Sequence, residues 1–160
     1  MDWNAAAAVG QIVSAAAVLI TLVYLAKQVR QLNRQDMLNA FRHTYDSLND
    51  WAFAVLESSE IASLILKGRQ SYQSLNETER FRFDHAHMVF LNIVEAHYYQ
   101  VQKTAMEDEY RRWAMENLAT LVRGYLDHPG TREFWSNAQQ YYEPGIRKLI
   151  AENTASLPPR

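Results

Sequence analysis

The sequence predicts an all-α protein, in which an N-terminal transmembrane helix continues into a cytoplasmic bundle of four to five helices. Three observations predict this fold class. No charged residue occurs at positions 3–26, apolar residues then recur every three to four positions, and no stretch shows the strict alternation of a half-buried strand. The predicted domains are residues 1–26 for the transmembrane helix, 27–153 for the bundle and 154–160 for a flexible tail.

The N-terminal segment is long enough to cross a bilayer. Its 24 residues at positions 3–26 would span about 36 Å as a helix, against a hydrocarbon core of about 30 Å. A signal peptide is excluded, because the first residues carry Asp2 without lysine or arginine and the apolar run is too long. A core helix of a soluble fold is the weaker alternative, because the segment is apolar all round. Trp3 and Tyr24 stand near its ends, as interfacial anchors do.

The charges beside this segment predict its orientation. Asp2 precedes it, whereas four basic residues and a single acid, Asp36, follow within 16 positions. The positive-inside rule then places the bundle in the cytoplasm and the N-terminus outside. The four basic residues are Lys27, Arg30, Arg34 and Arg42. The first three share one helix face, which indicates either a solvated face or attraction to anionic lipid headgroups, at about 1 kcal/mol per charge.

Small residues line one face of the predicted span. They follow a 4, 4, 3, 4 spacing at Ala6, Gly10, Ser14, Ala17 and Thr21. Such a face lets two helix backbones approach closely. Gln11 lies near this face, and its amide requires a partner at that depth. The pattern predicts self-association, and chance spacing in an alanine-rich segment is the alternative.

Breaking and capping residues predict where the first helices begin and end. No stop signal follows position 26, so the membrane helix is expected to run directly into the first helix of the bundle, up to a break at Ser58 and Ser59. A short helix over residues 60–67 should end at Gly68, in a left-handed C′ position.

Capping signals also mark the next two helices. Asn76 and Glu79 form a capping box that opens a helix from position 77 to about 103. Thr104 and Glu107 repeat this pattern and predict that the following helix starts immediately after Thr104.

Proline and glycine divide the last third of the chain. Residues 127–130 predict a stop and a restart with Pro129 in a first helical turn. Residues 143–145 interrupt the helix that follows, and a last short helix precedes the tail. Large residues at helical spacing are the predicted core: Phe41, Tyr45, Leu48, Trp51, Phe81, Met88, Leu91, Tyr98, Tyr110, Trp113, Leu121, Phe134 and Trp135.

Four segments resemble a widespread family of small bacterial proteins with one N-terminal span. In order, they are AAAAVGQIVSAAAVLITLVYLAKQVRQ, LNETERFRF, NIVEAHYYQ and HPGTREFWSNAQQYYEP. They are distributed between residues 5 and 144, over most of the length of the chain. The resemblance implies a helical domain anchored in the bacterial inner membrane, with no known activity.

Two Arg–His spacings, Arg80 to His85 and Arg82 to His87, are similar to the motif of HEPN nucleases. With the N-terminal span, they resemble the HEPN-like membrane accessory protein of type VI CRISPR systems, which assembles into a ring. This resemblance implies a membrane-tethered ribonuclease in which these residues bind phosphate and transfer protons. The alternative is a polar helix face that is rich in histidine.

No other pattern predicts catalysis, a cofactor or a metal. Cysteine is absent and the net charge is -2, so the composition favours neither thiol or zinc chemistry nor nucleic acid as a partner. Asp84 and His87 form a single, imperfect version of the di-iron motif. Glu95 falls on the predicted buried face, where it should pair with Arg111, Arg112 or a tyrosine hydroxyl.

The patterns together favour a non-enzymatic membrane scaffold, or a subunit of a homo-oligomer or larger membrane complex, that associates through its span. The expected partners are membrane lipid and other protein chains. The alternatives are the HEPN-like ribonuclease and an oligomeric pore, whose spans would present Gln11 and Ser14 to a water-filled lumen.

Overall fold

The computed structural model describes residues 3–104 and 106–155, without the side chains of Ala5 and Ala6. Over these residues the chain is all-helical and has no strand, which confirms the predicted class. Two short 3₁₀ turns, Tyr72–Ser74 and Gln139–Tyr141, accompany six α-helices. The α-helices are α1 (Trp3–Leu56), α2 (Ser59–Gln70), α3 (Glu77–Lys103), α4 (Asp108–Leu126), α5 (Pro129–Ala138) and α6 (Pro144–Thr154).

Helix α1 is a single helix of 54 residues. It passes the basic residues without interruption, as the missing stop signal predicts, and ends just before the predicted break at Ser58 and Ser59. The chain divides between Asn39 and Ala40 into two compact units. The second unit contains the last turns of α1 together with α2 to α6.

Helix α2 begins as predicted but ends later. Ser58 is its N-cap and accepts a hydrogen bond from the Ile61 amide at 3.2 Å. The predicted end at Gly68 is wrong, because α2 continues through this residue to Gln70. Gly68 instead permits close packing: a Cβ here would lie 2.3 Å from the Phe83 ring, and a Cβ on Gly130 would lie 1.7 Å from the Gly68 carbonyl oxygen.

The first predicted capping box is confirmed and the second is wrong. Asn76 Oδ1 accepts from the Glu79 amide, and Glu79 Oε2 accepts from the Asn76 amide, each at 2.9 Å. Thr104 instead ends α3, and α4 starts only at Asp108. The guanidinium of Arg111 donates to the carbonyls of Val101 at 2.6 Å and Thr104 at 3.1 Å, and the backbone at Thr104 is extended, so α3 ends there.

The predicted restart at Pro129 is confirmed, whereas the predicted interruption over residues 143–145 is too long, because α6 already begins at Pro144. Each proline stands in the first turn of its helix, α5 or α6. The hydroxyl of the buried Thr131 lies 2.8 Å from the Tyr125 carbonyl oxygen and 2.9 Å from the His128 carbonyl oxygen. It therefore provides a hydrogen-bond donor for backbone carbonyls at the C-terminal end of α4. Helix α6 includes Thr154, and residues 156–160 of the predicted tail lie outside the described part of the chain.

The core of the second unit is built mainly from α3 to α6. Three predicted core residues are buried (Phe41, Leu91 and Phe134), and five are partly buried (Leu48, Trp51, Met88, Tyr98 and Trp135). The prediction is wrong for five exposed residues: Tyr45, Phe81, Tyr110, Trp113 and Leu121. On α3 the error is one of register, because the inward face consists of Phe83, His87, Phe90, Leu91 and Val94.

Candidate functional site: an exposed apolar helix and a polar helix face

The N-terminal part of α1 is apolar and fully exposed. It contains an 18-residue window with a mean hydropathy of 2.1, and none of that window is buried. Ile12 and Ile20, for example, are each 70% exposed. By length and composition α1 can cross a membrane. The exposure distinguishes this segment from the core helix of a soluble protein, which its own fold would cover.

The residues proposed for self-association all lie in this exposed part of α1. They are Gly10, Gln11, Ser14, Ala17 and Thr21, while the side chain of Ala6 lies outside the described residues. Thr21 donates its hydroxyl to the Ala17 carbonyl at 2.8 Å, so its hydrogen-bond donor is satisfied within the helix. Gln11 and Ser14 have no side-chain hydrogen bond to any described residue.

The basic residues after the apolar segment are also exposed. Within the described ranges, Lys27, Arg30 and Arg34 form no salt bridge, so their charges remain available. Tyr24, at the end of the apolar segment, accepts a hydrogen bond from the Gln28 amide at 2.9 Å. A tyrosine with its hydroxyl hydrogen-bonded one turn towards a basic flank is typical of a membrane interface.

The structure separates the arginines and histidines of the nuclease-like spacing. Arg82 is exposed and forms an ion pair with Glu60, whereas His87 is completely buried. Arg80 lies over the Tyr72 ring at 5.0 Å from its centroid, whereas the His85 ring lies 4.0 Å from the Phe81 ring on the exposed surface. Residues five positions apart diverge by about 140° around a helix, so neither pair converges on one phosphate within this chain.

His87 is a core residue. Its ring lies 3.8 Å from that of Phe83, 5.3 Å from that of Tyr125 and 5.5 Å from that of Phe134. Nδ1 is 2.7 Å from the Phe83 carbonyl oxygen, so Nδ1 carries the hydrogen. Burial lowers the pKa of His87 to about 4, and the imidazole is neutral at pH 7.

A polar cluster that the sequence reasoning missed joins the start of α3 to the 3₁₀ turn before it. The Tyr72 hydroxyl donates to Asp84 Oδ2 at 3.0 Å, beneath the guanidinium of Arg80. Burial raises the pKa of Asp84, against the opposing effects of Tyr72 and Arg80. Burial, followed by the hydrogen bond to Asp84, raises the pKa of Tyr72 to about 12. The only signal in the sequence was a tyrosine within an otherwise polar connection.

Glu95 caps a helix instead of pairing with a charge. Its Oε1 accepts a hydrogen bond from the backbone amide of Glu143 at 3.0 Å, and Glu143 is the N-cap of α6. Among the described residues no hydrogen bond or ion pair joins Glu95 to Arg111, to Arg112 or to a tyrosine hydroxyl, so the expected pairing is wrong. The carboxylate instead lies beside the positive end of a helix dipole, which stabilises its charge.

The described residues contain no group of three or more histidine, aspartate or glutamate side chains that could hold a metal ion. No family model, curated protein or solved structure matches this chain.

Proposed function

We propose that this protein is a single-pass membrane protein whose helical bundle serves as a non-enzymatic scaffold or complex subunit. The observation that carries the proposal is the exposed apolar part of α1. It presents nine Val, Leu and Ile side chains between Val9 and Leu25, each about half exposed or more. Fully burying one such side chain contributes about 1.5–3 kcal/mol, so a lipid bilayer that covered all nine would contribute on the order of 14–27 kcal/mol, a gain that the described fold leaves unused.

We further propose that the bundle lies in the cytoplasm of a bacterium and that Met1 lies beyond the inner membrane. The support is the charge asymmetry around the apolar segment. The exposed, unpaired Lys27, Arg30 and Arg34 would then stand at the cytoplasmic headgroups. An alkaline phosphatase domain fused after Arg160 tests this orientation, because it is active only in the periplasm. Strong phosphatase activity would contradict the proposed topology.

The scaffold role requires that the span associates with other helices. Gln11 supports this, because an amide without a partner in hydrocarbon costs several kcal/mol, and a second copy of the span supplies a partner. Gly10 leaves open space around its Cα, with nothing within 4 Å of an added Cβ. A neighbouring backbone can therefore approach closely at this position.

The mass of the protein in mild detergent tests self-association. We expect an oligomer whose mass falls towards that of the monomer in Gly10→Leu, because leucine at this position separates the backbones. Gly124→Leu is the matched control, since Gly124 is exposed on α4 and also has open space around it. A strict monomer at every concentration, or an oligomer that Gly10→Leu leaves intact, would count against association through this face.

A further inference from the structure

A groove of about 280 Å³ is open on the surface of the second unit. It is formed by residues of α1, α3 and α4, and half of its ten lining residues are aliphatic. The aliphatic residues are Leu48, Ile93, Val94, Leu118 and Leu121. This volume lies near the lower end of the range for small-molecule sites, about 300–1,000 Å³.

The groove carries no formal charge. None of the described residues that line it is an aspartate, glutamate, lysine or arginine. His97 is buried at its edge, with Nδ1 3.1 Å from Thr44 Oγ1 and its ring edge-on to Phe41 at 5.1 Å. Burial lowers the pKa of His97, so the imidazole is neutral at pH 7. An ion that entered the groove would lose water without gaining an opposite charge.

The polar groups on the α4 wall offer hydrogen-bond acceptors. Asn117 Nδ2 donates to the Trp113 carbonyl at 3.0 Å, and Thr120 Oγ1 donates to the Glu116 carbonyl at 2.9 Å. These bonds use the hydroxyl proton of Thr120 and one amide proton of Asn117. The side-chain oxygens of Asn117 and Thr120 keep their free lone pairs. A molecule that hydrogen-bonds to these oxygens must supply a donor.

From this chemistry we propose that the groove binds an uncharged aliphatic molecule that carries a hydroxyl group at one end. The aliphatic part contacts the five aliphatic residues of the lining, and the hydroxyl donates to Thr120 Oγ1. A carboxylate is disfavoured because no cation lines the groove to balance its charge. An ammonium ion is disfavoured because no carboxylate neutralises it. The proposed binding site lies in the second unit alone, and only the lipid control of its test, Ile12 and Ile20, rests on the proposed membrane anchoring.

The isoleucine methyl groups of the full chain report binding by NMR in lipid nanodiscs, with n-octanol as the probe. Ile93 lies in the groove, while Ile12 and Ile20 lie in the apolar segment and report alcohol dissolved in the lipid. We expect a saturable shift of the Ile93 signal with octanol and no saturable shift with octanoate. An Ile93 shift that rises linearly in parallel with Ile12 and Ile20, or an equal response to octanoate, would overturn the proposal.

Two variants and one control variant test whether the Ile93 signal reports binding in the groove. Leu121→Trp fills the space and should abolish the saturable shift, whereas Leu66→Trp, at an exposed position on α2, should leave it unchanged. Thr120→Val keeps the shape but removes the acceptor, and it should weaken octanol binding about fivefold, the effect of one hydrogen bond. Saturable binding that survives Leu121→Trp would place the alcohol elsewhere and refute the assignment. Undiminished affinity in Thr120→Val would refute the hydroxyl contact with Thr120.

Discussion

The two units of this chain use apolar side chains in opposite ways. In residues 3–39 the largest apolar side chains lie outside, and Ile12 and Ile20 are exposed along most of their surface. In the second unit the large side chains of α3, such as Phe83 and Leu91, are almost completely enclosed. Both units are helical, so helical structure alone does not distinguish them. The helices of the two units differ in whether they carry a polar face. This difference indicates whether each unit is suited to lipid or to water.

Charged residues placed in the apolar segment of α1 should have the largest effect, because they remove the difference in apolar exposure between the two units. The double substitution Val13→Arg and Val18→Arg puts two guanidinium groups in the predicted hydrocarbon region, at about 2.5–3.5 kcal/mol each. We expect the protein to leave the membrane fraction in a flotation assay. The control is Leu56→Arg with Leu66→Arg, two leucines exposed in the second unit. A double variant that still floats with the lipid would contradict the membrane proposal.

The next largest effect is expected on the free energy of unfolding, when one of two phenylalanines on α3 is substituted. Phe83 is fully buried and Phe81 is 63% exposed, although they are only two positions apart. Phe83→Ala should lower the free energy of unfolding by about 3–5 kcal/mol, because it leaves a cavity. Phe81→Ala should change it by less than about 0.5 kcal/mol. Chemical denaturation followed by circular dichroism measures both values. Similar losses in the two variants would show that the inward face of α3 is assigned incorrectly.

The buried imidazole of His87 predicts how the stability of the second unit depends on pH. Its pKa is about 4 in the folded chain and about 6.5 when unfolded, so the unfolded chain binds the proton more tightly. The stabilisation is therefore complete above pH 6.5 and is lost as the pH falls towards 4. Between pH 7 and pH 5 the loss should be about 2 kcal/mol. The lowered pKa of His97 acts in the same direction, whereas the raised pKa of Asp84 opposes it.

Substitutions of two histidines on α3 isolate this effect. His87→Phe removes the titrating group from the core and should flatten the dependence of the unfolding free energy on pH. His85→Phe is the matched control, because folding leaves His85 exposed. An unchanged pH dependence in His87→Phe would contradict the assignment. The same two variants test the ribonuclease alternative, for which loss of RNA cleavage in either variant would be required.

Local signals in the sequence predicted much of the fold. The Asn76–Glu79 capping box and the two prolines act within one helical turn, so no knowledge of the rest of the chain was needed. The role of Gly68 could not be predicted, because the groups that require a glycine there are Phe83 and Gly130, on two other helices. Both Phe81 and Phe83 fit an apolar pattern, and only packing against α2, α4 and α5 decides which of them points inward.

The features of the candidate site also differ in how far the sequence alone could predict them. The apolar segment of α1 was recognisable because it depends on composition alone. The hydrogen bond from the Glu143 amide to Glu95 and the groove beside Ile93 were not, because each forms only when helices distant in sequence meet. The nuclease-like spacing shows the opposite error, in which a pattern along the chain suggests a site that the fold does not form. The burial of His87, which the spacing does not reveal, decides against that site.

The smallest expected effect is that of removing the N-terminal cap of α3, and it should be limited to the stability of the second unit. Asn76→Ala removes the side-chain oxygen that accepts from the Glu79 amide at the start of α3. Loss of such a cap costs about 1 kcal/mol, because one amide of the first turn then lacks its partner in the protein. Denaturation should report this loss, while flotation with lipid should remain as in the unaltered chain, since the cap lies far along the sequence from the apolar segment. Thr78→Ala, on the exposed side of the same turn, is the control and should leave both measurements unchanged. A change in flotation caused by Asn76→Ala would show that the two units are coupled, and that anchoring depends on the fold of the bundle as well as on the composition of α1.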